Sequence, residues 1–91
     1  MIQIKLNMLD KDADLYYFYG FFKAANDHHN YINRKDAAQI GEWILAAQER
    51  TIKALTGCSF DTVLKIISDT TKTVNYLLGC VERGNKLCPT I

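Results

Sequence analysis

Eight consecutive residues, Leu15-Tyr-Tyr-Phe-Tyr-Gly-Phe-Phe22, are apolar or aromatic on every face. A surface helix or a half-exposed strand keeps one polar side. This run has none, so the rest of the chain, a second copy or another protein has to enclose it. Tyrosine and phenylalanine favour strands, but the charges around the run are ordered. Asp10, Asp12 and Asp14 precede it, and Lys23, His28 and His29 follow it. Acidic-to-basic order complements a helix dipole. Ala24 and Ala25 extend the helical propensity, and Asn30 is placed to cap the end. These features predict an aromatic helix over about 12–28.

Ahead of it, Ile2, Ile4, Leu6 and Met8 alternate with Gln3, Lys5 and Asn7. Period two predicts a short β-strand over 2–8. A lone strand leaves its backbone groups unpaired. Its pairing partner is either another molecule or the aromatic run folded back through Asp10-Lys11-Asp12. The second option makes an α+β alternative, with a β-hairpin 2–8/15–22 packed on the helices that follow.

Those helices are read from their punctuation. Asn33 is placed to cap a first turn that contains Asp36, a capping-box-like arrangement. Ala37, Ile40, Ile44, Ala47, Thr51 and Leu55 then keep helical spacing, with Trp43 and Ile52 widening the stripe. Gly57 supplies a left-handed stop, and Ser59 caps the next helix. That helix carries Phe60, Val63, Leu64, Ile67, Val74, Leu77, Leu78 and Val81. Gly84 is expected to end it, and Pro89 to keep it from resuming. The prediction is a mainly α fold: an antiparallel helical bundle built on a long hairpin, about 34–56 and 60–83, with the aromatic helix and the short strand against it.

With 91 residues the chain is expected to form a single domain, 1–91. Formal net charge is +1, and the residues up to Leu45 and after it carry −1 and +2. Neither half has the basic face that nucleic acid or an anionic membrane requires. Lys65, Lys72, Arg50, Lys53, Arg83 and Lys86 are interspersed with Asp61, Asp69, Glu49 and Glu82, which reads as a charge-mixed solvent face. The first nine residues lack the continuous apolar stretch of a secretory signal. No apolar run approaches the roughly 18 residues of a membrane span. Three cysteines, Cys58, Cys80 and Cys88, are an odd number without a disulfide framework, which suits a reducing, cytoplasmic compartment. Cys80 and Cys88 could still pair across Gly84.

Candidate chemistry is sparse. His28 and His29 are adjacent, so on a helix they point about 100° apart and do not chelate one ion. Asp10, Asp12 and Asp14 share the alternation of a calcium loop, but Leu15 and Phe21 stand where its glycine and glutamate belong. Cys58 lies just before a helix start with no histidine base near it in sequence, so it reads as a small turn residue. Cys80 reads as core filler. Thr70, Thr71 and Thr73 interrupt an apolar helix and are expected to bond their own backbone four residues back. No catalytic residue, metal site or cofactor is expected.

The aromatic set is the strongest functional signal. A chain this short cannot easily wrap so many rings, and Tyr and Trp dominate binding interfaces. Tyr16, Tyr17, Tyr19, Phe21 and Trp43 are therefore the candidate partner-binding residues. The expectation is a non-catalytic protein-binding module, a homodimer acting as an inhibitor or adaptor that occludes a surface on a larger protein. Compact, motif-free domains of this kind are used by mobile genetic elements against host machinery. The alternative is a small-ligand protein with a nucleotide-like ligand held at a helix or dimer seam. Its candidate residues are Arg34, Lys35, Thr70, Asn75 and Tyr76, with aromatic stacking alongside.

Overall fold

The computed structural model describes residues 2–85, with side chains through Arg83. Three helices follow one another: α1 (Leu15–Asp27), α2 (Arg34–Ala54) and α3 (Phe60–Asn85). The hairpin of α2 and α3 is delimited by the residues that its sequence singles out. Asn33 Oδ1 accepts the Asp36 amide at 2.8 Å, and its Nδ2 donates to the Asp36 carboxylate at 3.2 Å. Gly57 takes φ +80° after the end of α2, the left-handed conformation that a side chain disfavours. Ser59 Oγ then accepts the Thr62 amide at 3.3 Å and opens α3. The helix passes through Gly84 to Asn85, so that glycine does not stop it. Pro89, Cys88 and the proposed Cys80–Cys88 pairing lie outside the described residues.

The aromatic run is helical, which removes the α+β alternative and its 2–8/15–22 hairpin. Helix α1 starts later than 12 because Asp10 and Asp14 divide the work. Asp10 closes a tight turn, its side chain accepting the Asp12 amide at 3.0 Å and its carbonyl the Ala13 amide at 3.2 Å. Asp14 is the actual cap, accepting the Tyr17 amide at 2.8 Å. At the other end Asn30 is not the left-handed residue. His29 is, at φ +55°, with its amide donating to Asn26 and the Asn30 amide to Ala25. This is the paired 5→2 and 6→1 closure of a Schellman motif.

Nor is the run enclosed on all sides. Leu15, Phe18, Phe22 and Ala25 are buried, whereas Tyr16 and Tyr17 are exposed. Tyrosine serves as the polar face here, since its ring is apolar and its hydroxyl reaches water.

The N-terminal strand does not form. Residues around Gln3 make one isolated parallel bridge to Tyr31, with Ile4 N–H donating to the Tyr31 carbonyl at 2.7 Å and Tyr31 N–H to the Ile2 carbonyl at 3.1 Å. Leu6–Met8 then turn as a 3-10 helix. Among the described residues, the backbone that pairs with it is the short link between α1 and α2, too short to extend a ladder. Alternation also fails as a burial pattern, because Ile4 enters the core while Ile2 and Met8 stay exposed.

Helix α3 is the spine of the bundle, packing on both α1 and α2, which touch each other less. Ile4, Phe18, Phe22, Ile32, Ile40, Ile44, Leu77 and Cys80 form the centre of the core. Thr70 and Thr73 are buried within it, and their hydroxyls donate to the Ile66 and Asp69 carbonyls at 2.9 and 2.8 Å. Each hydroxyl is thereby satisfied within its own helix, as the sequence predicts.

Candidate functional site

Both hairpin helices carry two apolar seams where a surface helix of a small bundle carries one. On α3 the inner seam is Ile66, Thr70, Thr73, Leu77 and Cys80, all buried. The outer one is Phe60, Leu64, Ile67, Thr71, Val74 and Leu78, repeating at alternating intervals of four and three. On α2 the inner seam is Ala37, Ile40, Ile44 and Ala47, again buried. Its outer positions are Ala38, Gly41, Leu45, Gln48, Ile52 and Leu55, spaced in the same way, with Gln48 polar and Ile52 partly packed on the core. Apolar residues recurring about every 3.5 positions form the seam on which another helix packs, each side chain entering a hole between four others.

The two outer seams lie side by side. Ala38 and Gly41 share a groove of about 450 Å³ with Val74, Leu77, Leu78 and Val81, and Arg34 and Glu82 close its end. Along this face Leu45 is 56% exposed, Phe60 75%, Leu64 46%, Ile67 42% and Leu78 53%. Isolated exposed leucines carry no message, but a continuous row does. Read as one broad apolar side, the sequence of α3 conceals this division. The spacing alone separates the two seams once each residue is assigned to its own heptad.

The aromatic candidates are dispersed by comparison. Tyr16 is 62% exposed and overhangs a cavity of about 460 Å³ lined by Asp14, Leu15, Thr51, Leu55, Thr62, Lys65, Ile66 and Asp69. Tyr17 rests its ring edge-on against Phe18, and its hydroxyl accepts the Asp10 amide at 3.4 Å. Phe21 is half-buried between Tyr17 and Phe22, with ring centroids 6.3 and 5.3 Å away. Tyr19 meets Tyr76 edge-to-face at 5.6 Å, joining α1 to α3. Trp43 is half-buried against the core. Of these five residues, Tyr16 is the one most open to a partner.

The residues considered for a small ligand do not converge. Arg34 lies at the end of the α2/α3 groove. Lys35 lines a shallow depression with Leu6 and Glu42, and Asn75 and Tyr76 line another with Asn26, Lys72 and Gly79. Thr70 is buried. His28 and His29 are both exposed, and the described residues contain no group of three His, Cys, Asp or Glu side chains that could hold a metal ion. No helix among them is long and apolar enough to cross a membrane.

One polar cluster is structural. Arg83 on α3 reaches across to the end of α1, donating to Asn26 Oδ1, to the Asn30 carbonyl at 3.2 Å and to Cys80 Sγ at 3.4 Å. A cation at the C-terminal end of α1 complements its dipole. Gly79 makes the approach possible, since a Cβ there would stand 3.0 Å from Asn26 Oδ1. Burial pushes the Cys80 thiol up from its ordinary value, and Arg83 beside it only partly offsets that. No family model, curated protein or solved structure matches the chain. What its own geometry defines is a three-helix bundle that, among the described residues, leaves a row of apolar side chains exposed along α2 and α3.

Proposed function

We propose that this chain is a small non-catalytic protein-binding module, acting as an inhibitor or adaptor that covers a surface on a larger protein. The observation that supports it is the second seam on α2 and α3, whose Leu45, Phe60, Leu64, Ile67 and Leu78 stay exposed on the monomer at a cost in solubility. Tyr16 offers a separate contact point at the far end of α1, close to where α2 turns into α3. The odd cysteine count and the buried, high-pKa Cys80 suit a cytoplasmic setting.

Site-specific photo-crosslinkers at Tyr16 and Leu64, introduced in the host cell, test this directly. Covalent adducts with a defined larger polypeptide from either position are expected, and an inward-facing control at Ile44 should give none. Absence of any heterologous adduct from both exposed positions would sink the inhibitor or adaptor role.

A small-ligand role has one observation in its favour. The cavity under Tyr16 has a volume within the range of ligand pockets and brings Lys65, Asp14 and Asp69 to its rim. Thermal melts against nucleotide and metabolite pools, repeated with Tyr16→Ala, decide it. A stabilising compound whose effect disappears in the variant is required.

A further inference from the structure

We infer that the cavity under Tyr16, where all three helices meet, is a binding site for a small amphipathic cation, an apolar body that carries an ammonium group. The inference rests on the small-ligand reading and adds the class of ligand.

Helical bundles pack their interiors to the density of organic crystals, and this one does so around Phe18, Phe22 and Ile44, all fully buried. Where α1 begins and α2 turns into α3, it leaves about 460 Å³ that its own side chains do not fill. Sites for small organic molecules enclose roughly 300–1,000 Å³. Leu15 on α1, Leu55 at the end of α2 and Ile66 on α3 supply apolar walls. The two wall hydroxyls are already engaged: Thr51 donates to the Ala47 carbonyl at 2.8 Å, and Thr62 Oγ1 lies 3.0 Å from Ser59 Oγ. The walls therefore suit an apolar occupant, and polar recognition is left to the rim.

That rim consists of Asp14, Tyr16, Lys65 and Asp69, with a formal charge of −1. Asp14 caps α1 through one carboxylate oxygen, which accepts the Tyr17 amide at 2.8 Å, so its second oxygen remains for a ligand. Asp69 is half-buried. Among the described residues, neither carboxylate is in an ion pair, and nor is Lys65. Helix ends shift this balance little. The positive ends of α1 and α3 exceed the negative end of α2 by about half a charge, and Asp61 in the first turn of α3 more than answers that excess. Lys65 is exposed and stands four residues before Asp69. An exposed pair at that spacing is weak, so a ligand cation displaces it readily. Tyr16, 62% exposed, adds a ring face of the kind that attracts cations. A phosphate or carboxylate in the same space would meet two carboxylates and one mobile lysine.

Matched probes test the class of ligand. Amide NMR titrations of the full chain compare 2-naphthylmethylamine with 2-naphthoate and the neutral 2-naphthylmethanol. The amine should shift Leu15, Leu55 and Ile66 and bind at least about tenfold more tightly than the carboxylate. Asp14→Asn/Asp69→Asn removes both charges, and asparagine remains a good N-cap, so the fold should hold while the preference for the amine disappears. Lys65→Gln should tighten the amine about twofold. Glu42→Gln/Glu82→Gln, a pair that lines other hollows, should leave it unchanged. The inference is overturned by equal affinity for amine and carboxylate, by an amine indifferent to Asp14→Asn/Asp69→Asn, or by an amine that leaves Leu15, Leu55 and Ile66 unshifted. In each of these cases, shifts at the same three residues with the carboxylate or the alcohol would leave the small-ligand reading standing; that reading falls separately, if no compound in the thermal melts depends on Tyr16.

Discussion

Replacing Arg83 with methionine should destabilise the monomer by about 2 kcal/mol, and the figure can be built from its contacts. The guanidinium holds Asn26 Oδ1 and the Asn30 carbonyl, the two groups that fix the end of α1 and the turn into the Ile32 link. Hydrogen bonds from a charged donor contribute roughly 1.5–3 kcal/mol each when buried, and the lower figure applies to a half-exposed site. Charge at the helix end adds about 0.5 kcal/mol. Against these stands the Arg83 Nε, buried without a partner among the described residues, a cost of about 1–2 kcal/mol that methionine relieves. Methionine also keeps the aliphatic packing, so the loss isolates the polar tie. Arg83→Lys keeps the charge but not the fork, and should lose about half as much. Urea unfolding followed by circular dichroism is the assay, at a concentration where the chain is monomeric. With a slope of about 1 kcal/mol/M, the methionine variant's midpoint should fall by about 2 M and that of the lysine variant by about 1 M. A methionine variant within about 0.5 kcal/mol of wild type would show that the Arg83 contacts do not secure α1.

Other outcomes follow from individual positions. Phe22→Ala empties a fully buried site on α1 and should cost about 3–5 kcal/mol, a large share of the stability of a domain of this size, read as a lowered urea midpoint. Gly20→Ala should do the opposite: nothing lies within 4 Å of an added Cβ in the middle of α1, so the melting point should rise by an amount corresponding to about 0.5–1 kcal/mol. Brief alkylation of the folded protein at neutral pH should label Cys58, which is partly exposed, and spare Cys80, which is buried with its thiol pKa raised. Label on Cys80 at the rate of Cys58 would contradict the packing of α1 on α3. Acidification should weaken α2 modestly: the Glu49 carboxyl is held below its ordinary value by Lys53, so that contribution is present above the usual carboxylate range and fades as pH falls through it.

What the sequence made legible was stereochemistry carried by single residues. Asn33, Gly57 and Ser59 each have one favourable role at their positions, and each plays it. The helical state of the aromatic run was legible from the order of its flanking charges. Which side of it stays wet was not, because tyrosine serves a core or a surface equally well and only packing decides. The failed strand has the same cause. Residues 2–8 alternate correctly, but alternation makes a strand only where a partner strand exists, and the link at Tyr31 offers a single bridge.

The outer seams were hidden by their neighbours. Leu77 and Leu78 are adjacent in sequence and read as one apolar side, yet the first is buried and the second is half exposed. A step of one residue turns a helix by about 100°, enough to separate a buried seam from an exposed one. The candidate site therefore lies on the helices whose boundaries were clearest, while the aromatic segment that dominates the composition is for the most part core and internal stacking.

Methyl NMR with the larger polypeptide that the crosslinkers trap measures the central claim most directly, since it reports which side chains change environment on binding. Resonances of Leu45, Leu64, Ile67 and Leu78 should shift as it is added, while those of Ile4, Ile32 and Ile40 in the core hold still. Shifts absent from the α2/α3 face, or centred instead on residues packed beside Tyr16 and Phe21, would contradict it.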